Sequence, residues 1–365
     1  MSLKIDYLIV GSGLTGGTIA RLLHDKGREV LIIDKRNHNG GNVYDHYHPS
    51  GIRIHTYGPH YFRTNSFSLW NFVNRFSAFY KYEALVKSFV DGEFENWPIA
   101  GSYIKKTIGH NWEAPFKGEA ANFEEASLKI MPKLIYEKFV KGYTEKQWGI
   151  EAKKLDAGLA KRFDVREDDE PKLMRHKYQG IPVNGYSEFM KNLIKGIPLI
   201  LNLDYLQNRD MFDVKKLLIF SGPIDEFYNF EYGKLKYRGQ RRVHSYLDNM
   251  DFYLPCGQVN YSSLEQGEHI RILEWKHMLP QEYQNKINGT VITKEIPFTP
   301  TDSNDYEYPF PDSKNQFLYK KYEKKALVDS KLLICGRLGE YKYYDMDQAI
   351  GRAISLVNKI VEGTI

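Results

Sequence analysis

Cysteines, long apolar runs and blocks of like charge are all scarce in this sequence. Only two of the 365 residues are cysteines, Cys256 and Cys335, and neither belongs to a CxxC motif or a metal-ligand spacing. The sequence therefore argues against a disulfide scaffold and against a cysteine zinc site. No apolar run approaches the roughly 20 residues that a membrane-spanning helix needs, so we expect a soluble protein.

Signals for export and for nucleic-acid binding are also missing. The first residues, MSLKIDYLIVGSG, have no small-residue cleavage site after an apolar segment, so no signal peptide is predicted. The formal net charge is only +5, and there is no long Lys/Arg tract. We expect a cytoplasmic protein with no nucleic-acid or membrane partner, whose arginines serve a small phosphorylated molecule.

Aromatic residues, by contrast, are abundant. The chain holds 27 Tyr, 20 Phe and 5 Trp, and a tyrosine ring suits a wide, half-polar pocket as well as a core. The segment KGYTEKQWG (Lys141–Gly149) places a Tyr and a Trp among polar residues. Helical periodicity alone favours a core-facing stripe of Phe139, Tyr143 and Trp148. The polar neighbours also allow a surface on which a flat ligand could lie.

The first 34 residues carry a dinucleotide-binding fingerprint. The apolar run Ile5–Val10 predicts a buried parallel strand, and the GSGLTG that follows matches GxGxxG at the start of a helix. Gly11 allows the tight turn, Gly13 lets a pyrophosphate approach the backbone, and Gly16 lets helix and strand pack closely. Asp34, at the end of the second strand, is placed to bind a ribose hydroxyl. Glycine-rich packing in a nucleotide-free α/β sheet is the alternative.

Two further features favour FAD over NAD. A second glycine pair, Gly40-Gly41, follows in KRNHNGGNVY, where it would let the chain wrap around an extended cofactor. Near the end of the chain, a predicted strand passes through a turn at Gly336 into a helix from about Met346, and Asp345 begins a capping-box spacing. A C-terminal strand–helix unit of this kind is typical of large flavoproteins.

A set of longer segments runs nearly from end to end of the chain. In order they are GSGLTGG, KRNHNGGN, YGPHYFRT, KGYTEKQWG, YQGIPVNGY, SGPIDEF, RILEWKH, TKE and GRLGEYKYYDMDQ. Taken together, these segments resemble the bacterial UDP-galactopyranose mutases. Members of that family often form dimers, so the resemblance allows a homodimer, although no dimer surface can be identified in the sequence.

The resemblance implies an isomerase that interconverts UDP-galactopyranose and UDP-galactofuranose with no net redox change, in cell-surface polysaccharide biosynthesis. In this family the FAD must be reduced, because its N5 attacks the anomeric carbon, displaces UDP and gives a sugar–flavin adduct. The protein then has to hold UDP, position the sugar and exclude water. The sequence agrees in containing no GxSxG or HExxH motif.

Two arginines are implied to hold the pyrophosphate. Arg166 lies in KRFDVREDDEPK, which has the character of a mobile loop, and a guanidinium can pair with two phosphate oxygens. Without the resemblance, a surface pair with Glu167 or Asp169 would be the simpler interpretation. Arg271 alternates with two isoleucines in HIRILEW, so it faces away from them on a strand. It then faces either a ligand or solvent.

The resemblance also implies the other contacts: Tyr143 stacks on the uracil, Trp148 lines the pocket near the sugar, and tyrosine hydroxyls hold the diphosphate. The implied substrate-binding residues are Phe139, Tyr143, Thr144, Trp148, Tyr178, Asn96, Asn260, Tyr308 and Tyr343. The implied cofactor-binding residues are Gly11, Gly13, Leu14, Gly16, Asp34, Lys35, Arg36, Asn42, Gly336, Arg337, Asp345 and Met346. The implied catalytic residues are Arg166, Arg271, His60 and Arg63.

One position departs from the family pattern. In YGPHYFRT, His60 matches the family, but Arg63 stands where many bacterial members have a second histidine near the flavin and the sugar. Some relatives act on N-acetylated UDP-galactopyranose, so that substrate is the alternative to the expected UDP-galactopyranose. His46, His48 and His55 lie nearby, but no carboxylate or cysteine falls at a recognised spacing, so no metal is predicted.

Apolar patterning predicts an α/β protein: a Rossmann-like FAD-binding domain, a helical domain and an antiparallel β-sheet domain that includes the runs DFYLP, IRILEW and TVITKEI. The predicted ranges are 1–72, 187–235 and 314–365 for the FAD-binding domain, 97–165 for the helical domain, and 73–96, 166–186 and 236–313 for the sheet domain. Two other functions share this fold: an amine oxidase-like FAD oxidoreductase and a non-catalytic flavin or UDP-sugar binding protein.

Overall fold

The computed structural model describes residues 2–364, and the apolar run after the N-terminus forms its first strand. In chain order the strands are β1 (Leu3–Val10), β2 (Val30–Ile33), β3 (Asp45–Tyr47), β4 (Arg53–His55), β5 (Phe62–Thr64), β6 (Phe79–Lys81), β7 (Val86–Val90), β8 (Glu93–Trp97), β9 (Tyr178–Pro182), β10 (Leu199–Ile200), β11 (Phe212–Phe220), β12 (Tyr237–Leu247), β13 (Gln258–Asn260), β14 (Arg271–Glu274), β15 (Thr290–Phe298), β16 (Tyr308–Pro309) and β17 (Leu332–Ile334).

Helices separate most of these strands. The α-helices are α1 (Leu14–Asp25), α2 (Phe67–Asn74), α3 (Gly101–Ile108), α4 (Phe123–Leu128), α5 (Lys133–Ile135), α6 (Gly142–Trp148), α7 (Gly185–Leu193), α8 (Ile224–Phe227), α9 (Gln281–Gln284), α10 (Ser313–Ala326), α11 (Gly336–Gly339) and α12 (Met346–Glu362). Short 3₁₀ helices cover Gly41–Val43, Ala152–Lys154, Ala157–Arg162, Tyr205–Gln207, Arg209–Met211, Leu264–Gln266, Trp275–Met278 and Ser303–Asp305, and a π-helical turn covers Tyr136–Lys141.

A parallel sheet forms the first layer, with strand order β10-β2-β1-β11-β17. The strand β2 is apolar and buried throughout, and β1 and β11 are apolar in their carboxyl-terminal halves, because helices cover both faces of the sheet there. Successive residues of β1 enter different cores: Ile9 lies in the cluster that contains α1 and α12, whereas Leu8 lies in the cluster that contains α10. The helix α12 begins at Met346 as predicted, and Asp345 and Gln348 form the predicted capping box.

A seven-stranded sheet has the order β16-β12-β15-β14-β13-β7-β8. Its pairs are antiparallel except β13–β7, which is parallel. Our prediction of a purely antiparallel sheet was therefore wrong for this one pair of strands. The two strands come from distant parts of the chain, so no short hairpin forces them to run in opposite directions.

The strand predicted for DFYLP (251–255) was wrong, because this segment is irregular. The Glu274 carboxylate accepts hydrogen bonds from the backbone N–H groups of Tyr253 and Leu254, at 2.9 and 2.7 Å. These two donors are therefore satisfied by a side chain and do not join a strand ladder.

The helical region comprises α3 to α6, whose core includes Phe123, Ile135 and Phe139. The π-helical turn lies directly before α6, within the run that the sequence predicted to be helical. Two small sheets complete the fold, with orders β3-β4 and β5-β9-β6. The predicted α/β class, with parallel sheet, helices and a mainly antiparallel sheet, is confirmed, while the domain boundaries stay a prediction.

Candidate functional site

The first glycine turn connects β1 to α1 at the carboxyl end of the parallel sheet. Gly11 has φ +106°, and a Cβ there would lie 2.1 Å from the Ser221 hydroxyl. A Cβ on Gly16 would lie 2.0 Å from the carbonyl oxygen of Gly11. The N-cap Gly13 provides no side-chain cap, so the backbone N–H groups that open α1 remain for a ligand, and an anion is favoured there.

The second glycine turn packs against the first. Gly40 and Gly41 both have positive φ, +96° and +57°. The backbone N–H of Gly40 donates to the Ser12 carbonyl at 3.0 Å. A Cβ on Gly41 would lie 2.9 Å from the Cα of Gly13. The two turns therefore form one glycine-lined edge, which a bulkier residue would separate.

Asp34 organises this edge. Its Oδ2 accepts hydrogen bonds from the backbone and the hydroxyl of Ser12, both at 2.7 Å, and its Oδ1 accepts from the backbone of Arg36 at 2.9 Å. A carboxylate has about four acceptor sites, so one remains for a ribose hydroxyl. That contact stays a prediction. Arg36 in turn donates to the Asn42 side chain at 2.9 Å.

These residues surround an open cavity of about 1240 Å³. It lies outside the carboxyl ends of the parallel strands, where open α/β sheets bind ligands. Every predicted cofactor residue except Asp345 lines it. Sequence reasoning missed Ser221–Pro223, which follow β11 in this wall. Their signal was an apolar run ending in SGP. The free N–H groups and the glycine edge fit the pyrophosphate of a dinucleotide cofactor.

The histidines beside this cavity are neutral. The backbone N–H of His60 donates to Nδ1 of His55 at 2.9 Å. The Nδ1 of His60 itself donates to the Gly58 carbonyl at 2.7 Å. Burial lowers the pKa of both rings to about 3, and Arg53 and Arg337 add to the effect for His55 and His60 respectively. His60 lines the cavity. Because its Nδ1 carries the proton donated to Gly58, its Nε2 can accept a hydrogen bond from a ligand.

Arg63 lies on β5 and forms an ion pair of 3.0 Å with Asp345, the N-cap residue of α12. The resemblance implies a catalytic role for Arg63 and a cofactor-binding role for Asp345, and the structure places the two residues in contact. Asp345 stands beside the cavity-lining Met346. The ion pair thus ties the arginine to the N-terminus of α12, one residue before the cavity lining.

A buried charge cluster on the seven-stranded sheet consists of Arg242, Arg271, Glu295 and Glu307. We refer to this cluster as the floor. Glu295 lies directly across from Arg242 on one neighbouring strand and from Arg271 on the other. Its Oε1 accepts from Arg242 Nε at 2.9 Å, and its Oε2 accepts from Arg271 Nε. Arg242 also pairs with both oxygens of Glu307, at 2.7 and 2.9 Å. Two positive and two negative charges therefore balance.

The titration of this cluster follows from that pairing. Burial alone would raise the pKa of Glu295, but Arg271 and Arg242 lower it below the usual range. For Arg271, burial acts to lower the pKa, and Glu295 raises it well above its ordinary value. Sequence reasoning found Arg271 but missed Arg242, Glu295 and Glu307, because only the sheet register joins them.

The segment KGYTEKQWG forms α6 and is held on this sheet by Arg238. The guanidinium donates to the carbonyls of Gln147 at 2.7 Å and Lys146 at 3.2 Å, the last carbonyls of α6. Tyr143 is half-buried on α6. Burial raises its pKa, and the charge of the nearby Arg271 counteracts this. The phenol therefore stands at the arginine of the floor.

An open cavity of about 1490 Å³ adjoins this region and shares Tyr344 with the cofactor cavity. Its walls include Trp148, Tyr308 and Tyr343. The two tyrosine rings are nearly parallel, with centroids 6.1 Å apart. Burial raises the pKa of Tyr308, so its hydroxyl stays protonated and can donate at neutral pH. The aromatic cavity thus lies beside the cofactor cavity.

Arg166 is turned into its own loop. Its guanidinium donates to the carbonyls of Glu170, Lys172 and Leu173 at 2.6, 2.7 and 3.2 Å, and its Nε donates to Asp164 at 2.8 Å. The residue is only 5% exposed. The alternative of a surface pair with Glu167 or Asp169 was therefore wrong. A diphosphate contact by Arg166 stays a prediction, and it requires these bonds to be exchanged.

Of the nine predicted substrate residues, Trp148, Tyr308 and Tyr343 line the aromatic cavity, and the other six line neither cavity. Two of those six pack against aromatic neighbours. Phe139 is 2% exposed and packs in the helical core, with its ring centroid 5.2 Å from that of Tyr103. Tyr178 stacks on Trp70 at 5.6 Å. The core-stripe alternative therefore holds for Phe139, and Trp148 also belongs to that core while lining the aromatic cavity. Substrate contacts of Phe139 and Tyr178 stay predictions.

The polar substrate residues are divided between the two faces of the sheet. Asn260 is directly opposite Arg271, so both side chains lie on one face. Residues paired across neighbouring strands form a row on one face of the sheet, and Arg271, Asn260 and Ser88 share such a row. Asn96 pairs with Lys87 in the next row and accepts a hydrogen bond from it at 2.9 Å. Rows alternate in face, so the structure does not bring Asn96 to Arg271. Thr144 has a buried hydroxyl with no partner among residues 2–364.

The described residues include neither a candidate metal-binding cluster nor a candidate membrane span. No group of three His, Cys, Asp or Glu residues within 2–364 is arranged to hold a metal ion. No helix in that range combines the length and the apolar character needed to cross a membrane.

The chain is similar to known sugar-nucleotide mutases. A family model described as UDP-galactopyranose mutase matches residues 138–343, and one described as an NAD(P)-binding Rossmann-like domain matches residues 9–76. The dTDP-fucopyranose mutase of Escherichia coli is 34% identical over 95% of this chain and 96% of its own. A protein named probable UDP-galactopyranose mutase, from Klebsiella pneumoniae, is 33% identical over 98% and 94%.

Solved structures support the same fold. A crystal structure of reduced UDP-galactopyranose mutase, 13% identical, has a TM-score of 0.73 and covers 99% of this chain and 94% of its own. Putrescine oxidase is 10% identical with a TM-score of 0.64, covering 99% and 100%. At these identities only the fold is shared. Human flavin-containing amine oxidase B matches at 43% identity, but over only 44 residues, 12% of this chain and 8% of its own. A Rossmann-like domain with such neighbours implies an FAD-type cofactor.

Proposed function

The chain belongs to the UDP-galactopyranose mutase family and is thus a sugar-nucleotide isomerase, and we propose that it interconverts UDP-galactopyranose and UDP-galactofuranose with no net redox change. The observation that carries this proposal is the aromatic cavity beside the cofactor cavity. Its wall residue Tyr308 directly follows Glu307 of the floor and feels the charge of Arg271. An amine oxidase-like enzyme has no need of such a floor, and the amine oxidase match covers only 12% of the chain.

A nucleotide sugar would be held by three kinds of contact. Tyr143 would stack on the uracil, because its half-buried ring stands at the edge of the floor. Arg271 would pair with the diphosphate, since its Nε is anchored by Glu295 and a guanidinium can present two parallel N–H groups to phosphate. The hydroxyls of Tyr308 and Tyr343 would donate to the remaining phosphate oxygens.

FAD would be held by the glycine edge, Asp34, Arg36, Asn42 and the N-terminus of α1. Bound and reduced, a flavin supplies a nucleophilic N5 that can displace UDP from the anomeric carbon and is returned unchanged. The chain's own task is then to keep the displaced UDP in place, which the paired arginine and tyrosines can do. Trp148 closes the wall of the aromatic cavity and excludes water.

The identity of the sugar depends on Arg63. The ion pair with Asp345 holds its guanidinium at the N-terminus of α12, next to the cavity-lining Met346. An acetamido group that reached it would meet a hydrogen-bond donor. UDP-N-acetylgalactopyranose is therefore the second candidate substrate. The similarity to a dTDP-fucopyranose mutase at 34% identity makes a dTDP-sugar the third substance to test.

An anaerobic assay tests the proposal. Purified flavin-loaded protein is reduced with dithionite and given UDP-galactofuranose, UDP-N-acetylgalactofuranose or dTDP-fucofuranose, and the products are separated by chromatography. We expect conversion of UDP-galactofuranose to the pyranose by the reduced protein and none by the oxidised protein. Failure to convert any of the three, with flavin bound and reduced, would contradict the mutase function and favour an oxidoreductase.

A further inference from the structure

We propose that Arg162, to which no sequence motif pointed, binds the diphosphate of the nucleotide sugar. The proposal rests on the nucleotide-sugar function proposed above and adds a residue to its binding site. Arg162 ends the 3₁₀ helix Ala157–Arg162, four residues before Arg166, and it lines the aromatic cavity together with Trp148 and Tyr308.

The position of Arg162 is set by Tyr343. The guanidinium carbon lies 4.2 Å from the centroid of the Tyr343 ring, and that of Arg337 lies 4.6 Å from the same centroid. The two arginines differ in how their N–H groups are used. Arg337 donates to the carbonyls of Glu307 at 3.3 Å and Tyr344 at 2.9 Å. Arg162 donates to no residue in the range 2–364, so its N–H groups can bind a ligand.

The charge of Arg162 is also uncompensated. Within residues 2–364 it forms no ion pair, and the nearby carboxylate of Asp164 is bound by Arg166. The floor arginines are balanced by Glu295 and Glu307. Arg162 therefore adds a net positive charge to a cavity that faces an anionic ligand, and an arginine fork suits phosphate geometry.

Arg162 and Arg271 approach the same phenol from different elements. Burial raises the pKa of Tyr143, and the charges of Arg271 and Arg162 both act to lower it. The charges of an arginine of the loop and an arginine of the floor thus both reach the residue proposed to stack on uracil. In UDP only the ribose separates uracil from the diphosphate. Arg166 would have to exchange four hydrogen bonds to reach this point. Arg162 would exchange none.

The test compares UDP with uridine, which lacks the phosphates. Displacement of a fluorescent UDP probe from the oxidised, flavin-loaded protein gives both affinities for the wild type, Arg162→Ala, Arg162→Lys and the control Lys161→Ala. Lys161 is the adjacent exposed cation and does not line the cavity. Because Arg162→Ala removes a charge-assisted hydrogen bond, we expect its affinity for UDP to be about tenfold lower than that of the wild type. Uridine affinity should change less than twofold, Arg162→Lys should recover only part of the loss, and the control should match the wild type.

Each other result overturns the proposal. Equal losses for UDP and uridine would mean that Arg162 only supports the Tyr343 wall, and no loss for either would mean that it makes no contact. The furanose assay on the reduced wild type separates this proposal from the function. If Arg162→Ala loses affinity for UDP alone but the reduced wild type converts no sugar, the binding role of Arg162 stands and the mutase function is rejected. A wild type that does not bind UDP would reject both proposals.

Discussion

Replacing Glu295 by glutamine removes one charge from a fully buried cluster and keeps the size of the side chain. Glu295 is 0% exposed and shares its two oxygens between Arg242 and Arg271. An amide can still accept at one position, but its NH₂ group would face the N–H groups of the other guanidinium. The variant therefore leaves one buried positive charge without a partner.

The expected cost follows from the geometry. Breaking a buried ion pair by removing one partner costs about 3–5 kcal/mol. Arg242 keeps both contacts to Glu307, so only Arg271 loses its partner, and we expect the lower end, about 3 kcal/mol. For a chain of this size that loss lowers Tm by roughly 5 °C.

The assay is thermal unfolding of the flavin-loaded protein with and without saturating UDP. If Arg271 binds the diphosphate, UDP supplies the missing negative charge, and the difference in Tm between Glu295→Gln and the wild type should narrow. Glu268→Gln is the matched control, because Glu268 is 81% exposed and lies 3.8 Å from Arg241. A surface pair of this kind contributes little, so its Tm should not change measurably.

Two results would refute this reasoning. A Tm for Glu295→Gln within 1 °C of the control, on the order of the measurement error, would mean that the cluster does not carry the free energy assigned to it. A normal loss of stability that UDP leaves unchanged would mean that Arg271 does not face the diphosphate.

Three further predictions concern the cofactor edge and its surroundings. Gly16→Ala should lose flavin absorbance and stability, because its Cβ would lie 2.0 Å from a backbone oxygen. Gly17→Ala should keep flavin, since its Cβ would meet only side-chain methyl groups, at 3.0 Å or more; retained flavin in Gly16→Ala would contradict the close packing. The pKa of His55 is lowered to about 3 by burial, so the unfolded state binds the extra proton as pH falls from 6.5 towards 3. Burial lowers the pKa of His60 in the same way, so each of the two histidines should make the free energy of unfolding drop by about 1.5 kcal/mol between pH 6.5 and 5. Urea titrations of His55→Asn should therefore show a drop that is smaller than that of the wild type by about 1.5 kcal/mol; equal drops in both proteins would count against it. Arg63→His removes the ion pair with Asp345 and should lower the rate with UDP-N-acetylgalactofuranose about tenfold more than the rate with UDP-galactofuranose; equal losses in the furanose assay would show that Arg63 does not select the sugar.

Sequence reasoning succeeded where the residues of a feature are contiguous. The turn from Gly11 to Gly16 and the capping box at Asp345 each lie within a few residues, and local sterics decide them. The same reasoning failed for DFYLP, whose apolar and aromatic residues favour a strand. There the Glu274 carboxylate, about 20 residues away in sequence, takes up the backbone donors.

The sequence by itself determined the class of the protein, the cofactor edge and the presence of Arg271 on a strand, because strand and helix periods and glycine sterics act over short distances. Only the tertiary structure decided that Glu295 lies between Arg242 and Arg271, since the pairing register of three separate strands brings these residues side by side. It also decided that Arg166 is held by its own loop while Arg162 is free beside Tyr343. Arginines four residues apart have the same local chemistry, and their partners depend on how the chain is folded around them.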